Sequence, residues 1–435
     1  MTDYLTNDTD LKKVADAIRA KGGTTAPLVF PDGFSAAVGA IQTGGGTVTV
    51  NGPAITFIDY DGTLVTKWAI ADLADKTELP TPPAHDGLTF QGWNWTLEDI
   101  KALTQEMIVG PMYVTDDGKT RLYIHLEDGR TSPMLGCCPN GTVTVDWGDG
   151  TTPDTLTGTS TTDVEWTPTH SYAAAGDYVV TLRVEGSVGI SGDIDNEEGY
   201  LLRYASDPDR RNAVYWNSLR RVEIGYGVTS IGDYAFHSCN SLASIAIPSG
   251  VTSIGDSAFY YCYSLASITL PSGVTSINNS AFFECISLAS IAIPSGVTSI
   301  NNSAFTQCRS LTSIAIPSSV TNIDLITFSS CSSLASIAIP SGVTSINNSS
   351  FYYCYSLASI TLPSGVTSIS DSAFANCYGI KYYDFTALTA VPTLANQNAF
   401  NGIAADCEIR VPASLADEWK AAANWSTYAG HIVGV

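Results

Sequence analysis

The segment VTSIGDSAFYYCYSLASITLPSG, Val251 to Gly273, is one copy of a unit that recurs every 23 residues and predicts the architecture of more than a third of the chain. Its phenylalanine marks seven copies, numbered here one to seven: Phe236, Phe259, Phe282, Phe305, Phe328, Phe351 and Phe374. A cysteine follows three residues after each one: Cys239, Cys262, Cys285, Cys308, Cys331, Cys354 and Cys377. Such a repeat predicts a solenoid, because a single coil of this length cannot bury its own apolar face.

The apolar positions of the unit predict which side chains face inward. Phe259, Cys262 and Leu265 lie three residues apart, which predicts a short helical turn with all three on one buried face. Leu265, Ile268 and Leu270 have the spacing of a short strand with an apolar inward face. Because stacked strands lie about 4.8 Å apart, seven coils would make a rod on the order of 30 Å long.

The ten cysteines predict buried thiols rather than a disulfide framework. Seven of them hold the same place in successive copies, so each is expected to meet the same small, apolar surroundings. The remaining Cys137, Cys138 and Cys407 lack the paired spacing of a zinc site. We therefore expect no metal and no other cofactor.

The unit resembles the leucine-rich repeat of the BspA-like subfamily, whose consensus reads much like VTSIxxxAFxxCxSLxSIxIPxG. The resemblance covers residues 228–377 and implies a leucine-rich-repeat solenoid. Beyond Cys377 the pattern weakens, and the next comparable phenylalanine, Phe400, comes after 26 residues instead of 23. Near the end of the chain, Ser414 and Asp417 have the spacing of a capping box, which predicts a helix that caps the solenoid.

The chain as a whole is predicted to be multidomain and mainly β. The expected parts are a short helical hairpin with a glycine linker (1–46), a small β-rich module (47–106), an immunoglobulin-like β-sandwich (107–190), a connector with a first degenerate coil (191–227), the repeats (228–377) and the cap (378–435). Residues 11–42 resemble an N-terminal piece of tail-associated proteins of phages that infect gut Firmicutes; a plain helical hairpin is the alternative.

Two further resemblances concern the β modules. Gly87, Phe90, Gly92 and Trp93 resemble the Gly-x-x-Phe-x-Gly-Trp end of the Listeria-Bacteroides repeat, a small module of cell-surface proteins. Residues 108–190 alternate with period two between Gly and Asp turns, which predicts an antiparallel sandwich.

The segment VDWGDGT, followed by HSYAAAGDYVVTLRV, resembles the PKD-type immunoglobulin-like module, which implies that Trp147 lies in the core. A calcium site that uses Asp146, Asp149 or Asp154 is one interpretation, since hard cations bind clustered carboxylates. Asp-Gly runs are more often simple turns.

The segment ITFIDYDGTLV, Ile55 to Val65, raises the question of catalysis. It resembles the first motif of the haloacid dehalogenase superfamily, which implies Asp59 as the nucleophile and Asp61 as the acid/base. The following sequence has prolines at 80, 82 and 83 and no helix-length apolar period, so the scaffold of such an enzyme is missing. We expect a β-hairpin instead, with Asp61 and Gly62 both at positive φ, and we expect no enzymatic activity.

Charge and targeting patterns limit the partners. The formal charge of −22 disfavours nucleic acid and anionic membranes, because both bind through Lys and Arg. We expect no membrane insertion, and neither end shows a secretory signal or an anchor, which predicts that the protein is made and kept inside a cell, or released by lysis.

Three positions of the unit vary while the inward positions stay constant. They are the two residues after each phenylalanine and the one after each cysteine, called here the first, second and third rim positions. All three are expected to point outward. The predicted ligand-binding residues are Tyr260, Tyr261, Tyr263, Phe283, Ile286, Arg309, Tyr352, Tyr353, Tyr355 and Tyr378. Tyr combines a rigid apolar ring with a hydroxyl, which favours binding; neutral drift at solvated positions is the alternative.

A second candidate surface is the strand face of the solenoid, where Ser267, Thr269, Ser290 and Ala292 are expected to alternate outward. Their small side chains predict a flat surface with few anchors for a partner.

Three functions follow as candidates. The first is a phage or prophage tail-associated protein that binds a host-surface glycan or protein through the repeats and other virion proteins through its N-terminus. The second is a BspA-like adhesin on a bacterial surface; a virion decoration protein is a third. Fibres of the first kind are often homotrimers, although no heptad pattern specifies one here.

Overall fold

The computed structural model describes residues 53–128, 131–161, 169–190, 202–204 and 218–435. The predicted helical hairpin at 1–46 and most of the predicted connector at 191–227 lie outside these residues. The described chain is mainly β, with few helices and a C-terminal β-solenoid of about nine turns. No helix in this part of the chain is long and apolar enough to cross a membrane.

The first module consists of two small sheets. Its strands are β1 (Ala54–Ile58), β2 (Leu64–Ala69), β3 (Leu88–Trp93), β4 (Met107–Val109) and β5 (Pro111–Thr115). Strand β1 pairs with β2 antiparallel and with β4 parallel, while β3 pairs with β5 antiparallel. A 3₁₀ helix (Ile70–Asp75) and helix α1 (Leu97–Lys101) cover the core, which includes Phe57 and Trp93. Since β4 and β5 pair with β1 and β3, the module runs across the predicted boundary at residue 106.

The segment ITFIDYDGTLV forms the predicted β-hairpin. The amide of Asp59 donates to the carbonyl of Thr63 at 2.7 Å, and the amide of Gly62 donates to the carbonyl of Asp59 at 2.9 Å. Gly62 has a φ of +88°, but Asp61 does not have a positive φ, so the expected turn with two such residues is wrong. The connection is longer, with a register shift after Phe57, and it needs only one left-handed residue.

The second module is an antiparallel sheet that continues into the solenoid. Its strands are β6 (Thr120–Leu126), β7 (Pro133–Leu135), β8 (Cys137–Asp146), β9 (Asp154–Thr159), β10 (Gly176–Ile190), β11 (Leu202–Tyr204) and β12 (Leu219–Glu223). The main sheet has the order β9-β8-β10-β6-β12, and β7 pairs separately with β11. The far end of the long strand β10 pairs in parallel with the first solenoid strand, so one hydrophobic core runs through both.

The solenoid has two rows of short parallel strands. One row holds β13 (Val228–Ile231), β14 (Ser253–Ile254), β16 (Ser276–Ile277), β18 (Ser299–Ile300), β20 (Asn322–Ile323), β22 (Ser345–Ile346), β24 (Ser368–Ile369) and β26 (Thr393–Leu394). The other holds β15 (Ser267–Thr269), β17 (Ser290–Ala292), β19 (Ser313–Ile314), β21 (Ser336–Ile337), β23 (Ser359–Thr361), β25 (Tyr382–Asp384), β27 (Glu408–Val411) and β28 (Ile432–Gly434).

The 23-residue period of the sequence sets the register in which strands of neighbouring coils pair. Ser276 lies opposite Ser299, and Ile277 lies opposite Ile300, as the repeat requires. The longer steps that follow Cys377 are absorbed in the loops, because Ser368 still pairs with Thr393. The stack therefore continues through Phe400, whose ring lies 5.5 Å from that of Phe374.

The interior of the coils is the predicted stack. The phenylalanine rings of neighbouring copies lie nearly parallel, with centroids 5.2–5.6 Å apart. Each cysteine from copy two to copy seven donates its thiol to the carbonyl of the phenylalanine one coil earlier, as Cys262 does to Phe236 at 3.0 Å. All ten cysteines lie within the described ranges, where they are buried and form no disulfide, which confirms the expected structural thiols.

The turn around each phenylalanine differs from the expected helical turn. The residues two before and two after it have left-handed backbone, as at Ser257 (φ +53°) and Tyr261 (φ +60°) beside Phe259. This geometry points the amides of Ser257, Phe259 and Tyr261 at carbonyls of the next coil, with N–O distances of 2.8–2.9 Å. A helical turn would direct amides into its own backbone, so the bonds between coils explain the difference.

The C-terminus caps the solenoid as predicted, although the capping box is wrong. A 3₁₀ helix (Ala413–Leu415), helix α2 (Ala416–Ala421) and a 3₁₀ helix (Trp425–Tyr428) close the stack. Leu415 occupies the N-cap of α2, and no side chain caps it. Trp419 and Trp425 are buried against Phe385 and Phe400, so aromatic packing holds the cap.

Candidate recognition surface

The strand face of copies two and three is covered by the chain's own first module. Ser267, Thr269 and Ala292, expected to point into solvent, are at most 1% exposed. An ideal Cβ on Gly110 would lie 2.0 Å from Thr269 Oγ1 and 2.9 Å from Ala292 Cβ, so only glycine permits this approach. The prediction of a free strand face is therefore wrong for these two coils.

Polar side chains of the module dock in register with the repeat. The Asn94 amide donates to the carbonyls of Leu270 and Ala292, both at 3.2 Å. The indole of Trp95 donates to the carbonyl of Ile293 at 2.7 Å, and Gln105 donates to that of Ile316 at 3.0 Å. Leu270, Ile293 and Ile316 hold the same place in three successive coils, so the docking uses the regular spacing of the repeat.

A groove remains where the module overhangs copies three to five. Its volume is about 760 Å³, and its solenoid wall consists mostly of small side chains such as Ser290, Ser313 and Ser336. Lys67 and Glu106 are the charged residues of its lining. A cleft of this size can hold a small ligand, but it offers few polar anchors.

The first rim position is less exposed than expected. His237, Tyr260 and Phe283 form a ladder of parallel rings, with centroid distances of 4.8 and 4.6 Å. The equivalent residues of copies four, five and seven are small and buried: Thr306, Ser329 and Ala375. The prediction that all three rim positions point outward is thus wrong for the first position in these copies, because short side chains there stay within the coil surface.

The second rim position carries backbone strain. Tyr261 and Tyr353, both with φ +60°, are half-buried beside the other tyrosines of their copies. Left-handed backbone is unfavourable for residues other than Gly, Asn and Asp. The bonds between coils hold it in place, since Tyr261 and Tyr353 donate their amides to the next coil at 2.9 and 3.0 Å.

The third rim position is the most open. Tyr355 is 44% exposed and Tyr378 is 53% exposed, and their rings stack at 5.8 Å with an angle of 5°. Arg309 is also exposed, whereas Tyr263 and Ile286 are half-buried. The predicted binding residues are thus brought to one side of the solenoid, but they differ widely in accessibility.

The electrostatics of the rim separate the two tyrosine clusters. Burial is the main cause that raises the pKa of Tyr260, whereas the pKa of Tyr352 is raised first by its hydrogen bond with Tyr353. Burial lowers the pKa of His237 to about 4, so this ring is neutral at pH 7. Glu284 and Arg309 are bridged by Gln307, which bonds to both of them.

The aspartates of the dehalogenase-like motif occupy a packed junction. Asp59 is 2% exposed, and its carboxylate lies 2.7 Å from His85 Nε2 and accepts a bond from the Tyr113 hydroxyl at 3.2 Å. Burial, followed by the charge of Asp59, raises the pKa of Tyr113. Asp61 instead accepts a bond from the amide of Thr63 within the loop.

The aspartates considered for calcium bond to protein donors. Asp149 contacts His170 Nε2 at 2.7 Å and accepts from Thr151, whose hydroxyl is the main cause that lowers the pKa of Asp149 to about 2. Asp154 accepts from the indole of Trp147, the predicted core residue, at 2.7 Å. Within the described ranges, no group of three or more His, Cys, Asp or Glu side chains is arranged to hold a metal ion.

Sequence reasoning missed the docking residues Asn94 and Trp95, and also the stacking of rim side chains from neighbouring copies. The stacking had a signal, because aromatic residues 23 positions apart, such as Tyr355 and Tyr378, must be neighbours in the coil stack. The docking of Asn94 and Trp95 had no sequence signal that distinguishes these residues from those of an ordinary turn.

Comparison with known families concerns the repeat region. A family profile described as the BspA type leucine rich repeat region matches residues 210–334 and 275–404, with six copies. The repeats are of the BspA type. The matched span extends past Cys377, in agreement with the continued stack through Phe400.

Solved structures with similar repeats come from several bacteria. A leucine-rich repeat protein of T. pallidum is 32% identical, with 37% of this chain and 65% of that protein covered and a TM-score of 0.30. A leucine-rich cell surface protein of Faecalibacterium prausnitzii is 30% identical, with 43% of this chain and 58% of that protein covered and a TM-score of 0.32. The chain therefore spans less than two thirds of either relative, and no curated protein matches it.

Proposed function

We propose that this chain is a non-enzymatic recognition protein that acts in adhesion at a bacterial cell surface and binds its ligand on the rim of the BspA-type repeats. One observation carries the proposal: the strand face of copies two and three is buried under the chain's own module, while the third rim position varies between copies and is exposed at Arg309, Tyr355 and Tyr378. Binding proteins of the repeat class vary their surface in this way without altering the core.

The ligand is a glycan or a protein on the opposing surface. In this proposal the first module acts as a Listeria-Bacteroides-like element and the second as a PKD-like one, and both connect the repeats to the rest of the protein. The charge of −22 disfavours nucleic acid as a partner.

The test compares the two faces of the solenoid on the full chain. Replacing Arg309, Tyr355 and Tyr378 together by Ser is expected to lower saturable attachment to host cells by about tenfold or more. The matched control replaces the exposed Thr361 on the open strand face by Arg and is expected to leave attachment unchanged. If only the strand-face variant attaches more weakly, recognition lies on the strand face. If neither variant changes attachment, the proposal is refuted.

The absence of catalysis is part of this proposal and has its own test. An Asp59→Asn variant should not alter hydrolysis of a general phosphomonoester, which is expected to be at background level. A turnover that this variant abolishes would require an enzymatic function.

The resemblance of residues 11–42 to phage tail proteins supports a second candidate, a tail-associated recognition protein that uses the same rim. Those residues lie outside the described part of the structure. Electron microscopy of phage particles labelled against this chain would decide: labelled tails favour the second candidate, and labelled bacterial surfaces favour the first.

A further inference from the structure

The two rows of solenoid strands end differently on the side of the cap. In the first row, the Asn424 amide donates to the carbonyl of Leu394 in β26 at 2.7 Å, and the Trp425 indole donates to that of Pro392 at 2.8 Å. In the second row, β28 pairs with β27, and within the described ranges no strand or side chain bonds to its other edge. The cap therefore covers the last strand of the first row but not that of the second.

The outer edge of β28 presents backbone donors and acceptors. The amide of Val435 donates to the carbonyl of Val411 in β27 at 3.0 Å. Because successive residues of a strand direct their backbone groups to opposite sides, the N–H and C=O groups of Ile432 and Gly434 point away from β27. Within the described residues, no backbone group bonds to either of them from that side.

The side chains along this edge are apolar and exposed. Val433 is 36% exposed and Val435 is 61% exposed. Edge strands are often protected from other chains by a charge, a proline or a bulge, and β28 has none of these. Such an edge favours pairing with a further strand, although the short length of β28 limits the strength of that pairing.

We propose that β28 pairs antiparallel with β28 of a second copy of this chain, which gives a two-fold symmetric dimer. With the two-fold axis at Val433, Ile432 lies opposite Gly434 of the second copy, and each such pair exchanges two backbone hydrogen bonds. The two Val433 side chains then face each other at a position where Cβ atoms lie about 4.5–5.5 Å apart. The dimer does not depend on the rim being the binding surface.

A second copy fits this edge because β28 is its own complement. After a two-fold rotation the strand offers donors where the other copy offers acceptors, and two-fold contacts are the commonest among homo-oligomers. The cap leaves the edge accessible, since Asn424 and Trp425 lie beside β26, whereas β28 begins the following turn of the solenoid. The dimer would join the four-stranded sheet that ends in β28 to its own copy.

The experiment measures the mass of the full chain by analytical ultracentrifugation over a range of protein and salt concentrations. We expect a monomer–dimer equilibrium that shifts toward the dimer at higher salt. Salt screens the repulsion between two chains that each carry a charge of −22, while the contact itself is apolar and formed by backbone groups.

Substitutions of Val433 test the position of the axis. Val433→Lys places two like charges opposite each other and is expected to weaken the dimer by about tenfold or more. Val433→Thr keeps a β-branched side chain and should weaken it by less than about threefold. Thr361→Lys is the matched control, because it adds the same charge at an exposed position of β23 and should leave the dimer unchanged.

A cysteine variant tests the register directly. Val433→Cys is expected to form a disulfide between two copies under mild oxidation, whereas Thr361→Cys should not, and the native thiols are buried in the described ranges. A chain that stays monomeric would overturn the proposal and leave this edge to a strand of another protein. A trimer, a dimer that Val433→Lys does not weaken, or equal cross-linking of the two cysteine variants would also overturn it.

Discussion

Copies two and six have identical sequences from Phe259 to Ile277 and from Phe351 to Ile369, yet they present different surfaces. The strand Ser267–Thr269 is buried throughout, whereas Thr361 in the equivalent strand is exposed. Tyr355 is exposed, whereas its counterpart Tyr263 is half-buried. The neighbours of a repeat, and not its own sequence, therefore decide which of its side chains are available to a ligand.

The interiors of the two copies do not differ. Cys262 and Cys354 are both fully buried, and each bonds to the phenylalanine carbonyl of the preceding coil. We therefore expect the same substitution to have different effects in copies two and six when it lies on the surface, and equal effects when it lies in the interior.

The largest expected effect is loss of stability at alkaline pH through the shared interior. Burial raises the pKa of the Cys239 and Cys331 thiols to about 12, above the value of about 8.5 in an unfolded chain. Their contribution is complete below pH 8.5 and is lost as the pH rises toward 12. Between these two pH values, each thiol lowers the free energy of unfolding by up to about 1.4 kcal/mol for each unit of rising pH. Urea unfolding at pH 8 and pH 10, with reductant, measures it; equal midpoints would contradict thiol burial.

The second prediction disturbs the docking of the first module, which buries the strand of copy two but not that of copy six. Gly110→Ala places a methyl group against Thr269 Oγ1 and is expected to lower the free energy of unfolding by about 1–3 kcal/mol. Amide hydrogen exchange at residues 267–270 should then rise toward that at residues 359–362. Gly430→Ala is the control, because nothing lies within 4 Å of its ideal Cβ. Unchanged exchange at residues 267–270 would mean that the module does not protect this strand.

A paired cysteine substitution tests the equality of the interiors. Cys262→Ala and Cys354→Ala each remove a buried sulfur and its bond, and each should cost about 1–2 kcal/mol. The two costs should agree within about 0.5 kcal/mol, as measured by thermal or urea unfolding. A clearly smaller cost in copy six would show that its interior is looser than that of copy two.

The fourth prediction compares equivalent threonines on the strand faces of copies two and six, where one is buried and the other is exposed. Thr269 Oγ1 is buried with no hydrogen-bond partner in the described structure, so Thr269→Val is expected to stabilise the chain by about 1 kcal/mol. The identical substitution at exposed Thr361 should change stability by less than about 0.5 kcal/mol. Unfolding curves of the two variants provide the comparison; equal shifts would contradict the different burial of these hydroxyls.

Much of the solenoid follows from residue spacing. Phe259, Cys262 and Leu265 could be assigned to the interior because a period of 23 residues admits one stacking register. The left-handed turns were not predictable, since Tyr261 and Ile326 are not residues that favour positive φ. They are held by bonds to the next coil, which no local pattern encodes.

The candidate site could be predicted only in part. Sequence comparison between copies located the rim, including Arg309, Tyr355 and Tyr378, because variable positions stand out against a constant interior. It could not separate Tyr263 from Tyr355, which have the same local sequence. Nor could it show that Asn94 and Trp95 bind the strand face, since these contacts join residues about 170–200 positions apart.

The sequence alone therefore determined the stacked solenoid, its apolar interior and the place of its variable rim, because periodic side chains can be buried only in register. The tertiary structure alone decided which surfaces remain open, because that depends on the module docked over copies two and three and on the side chains of adjoining coils. Burial is a property of the assembled chain, and two identical segments acquire different surfaces when different neighbours exclude water from them.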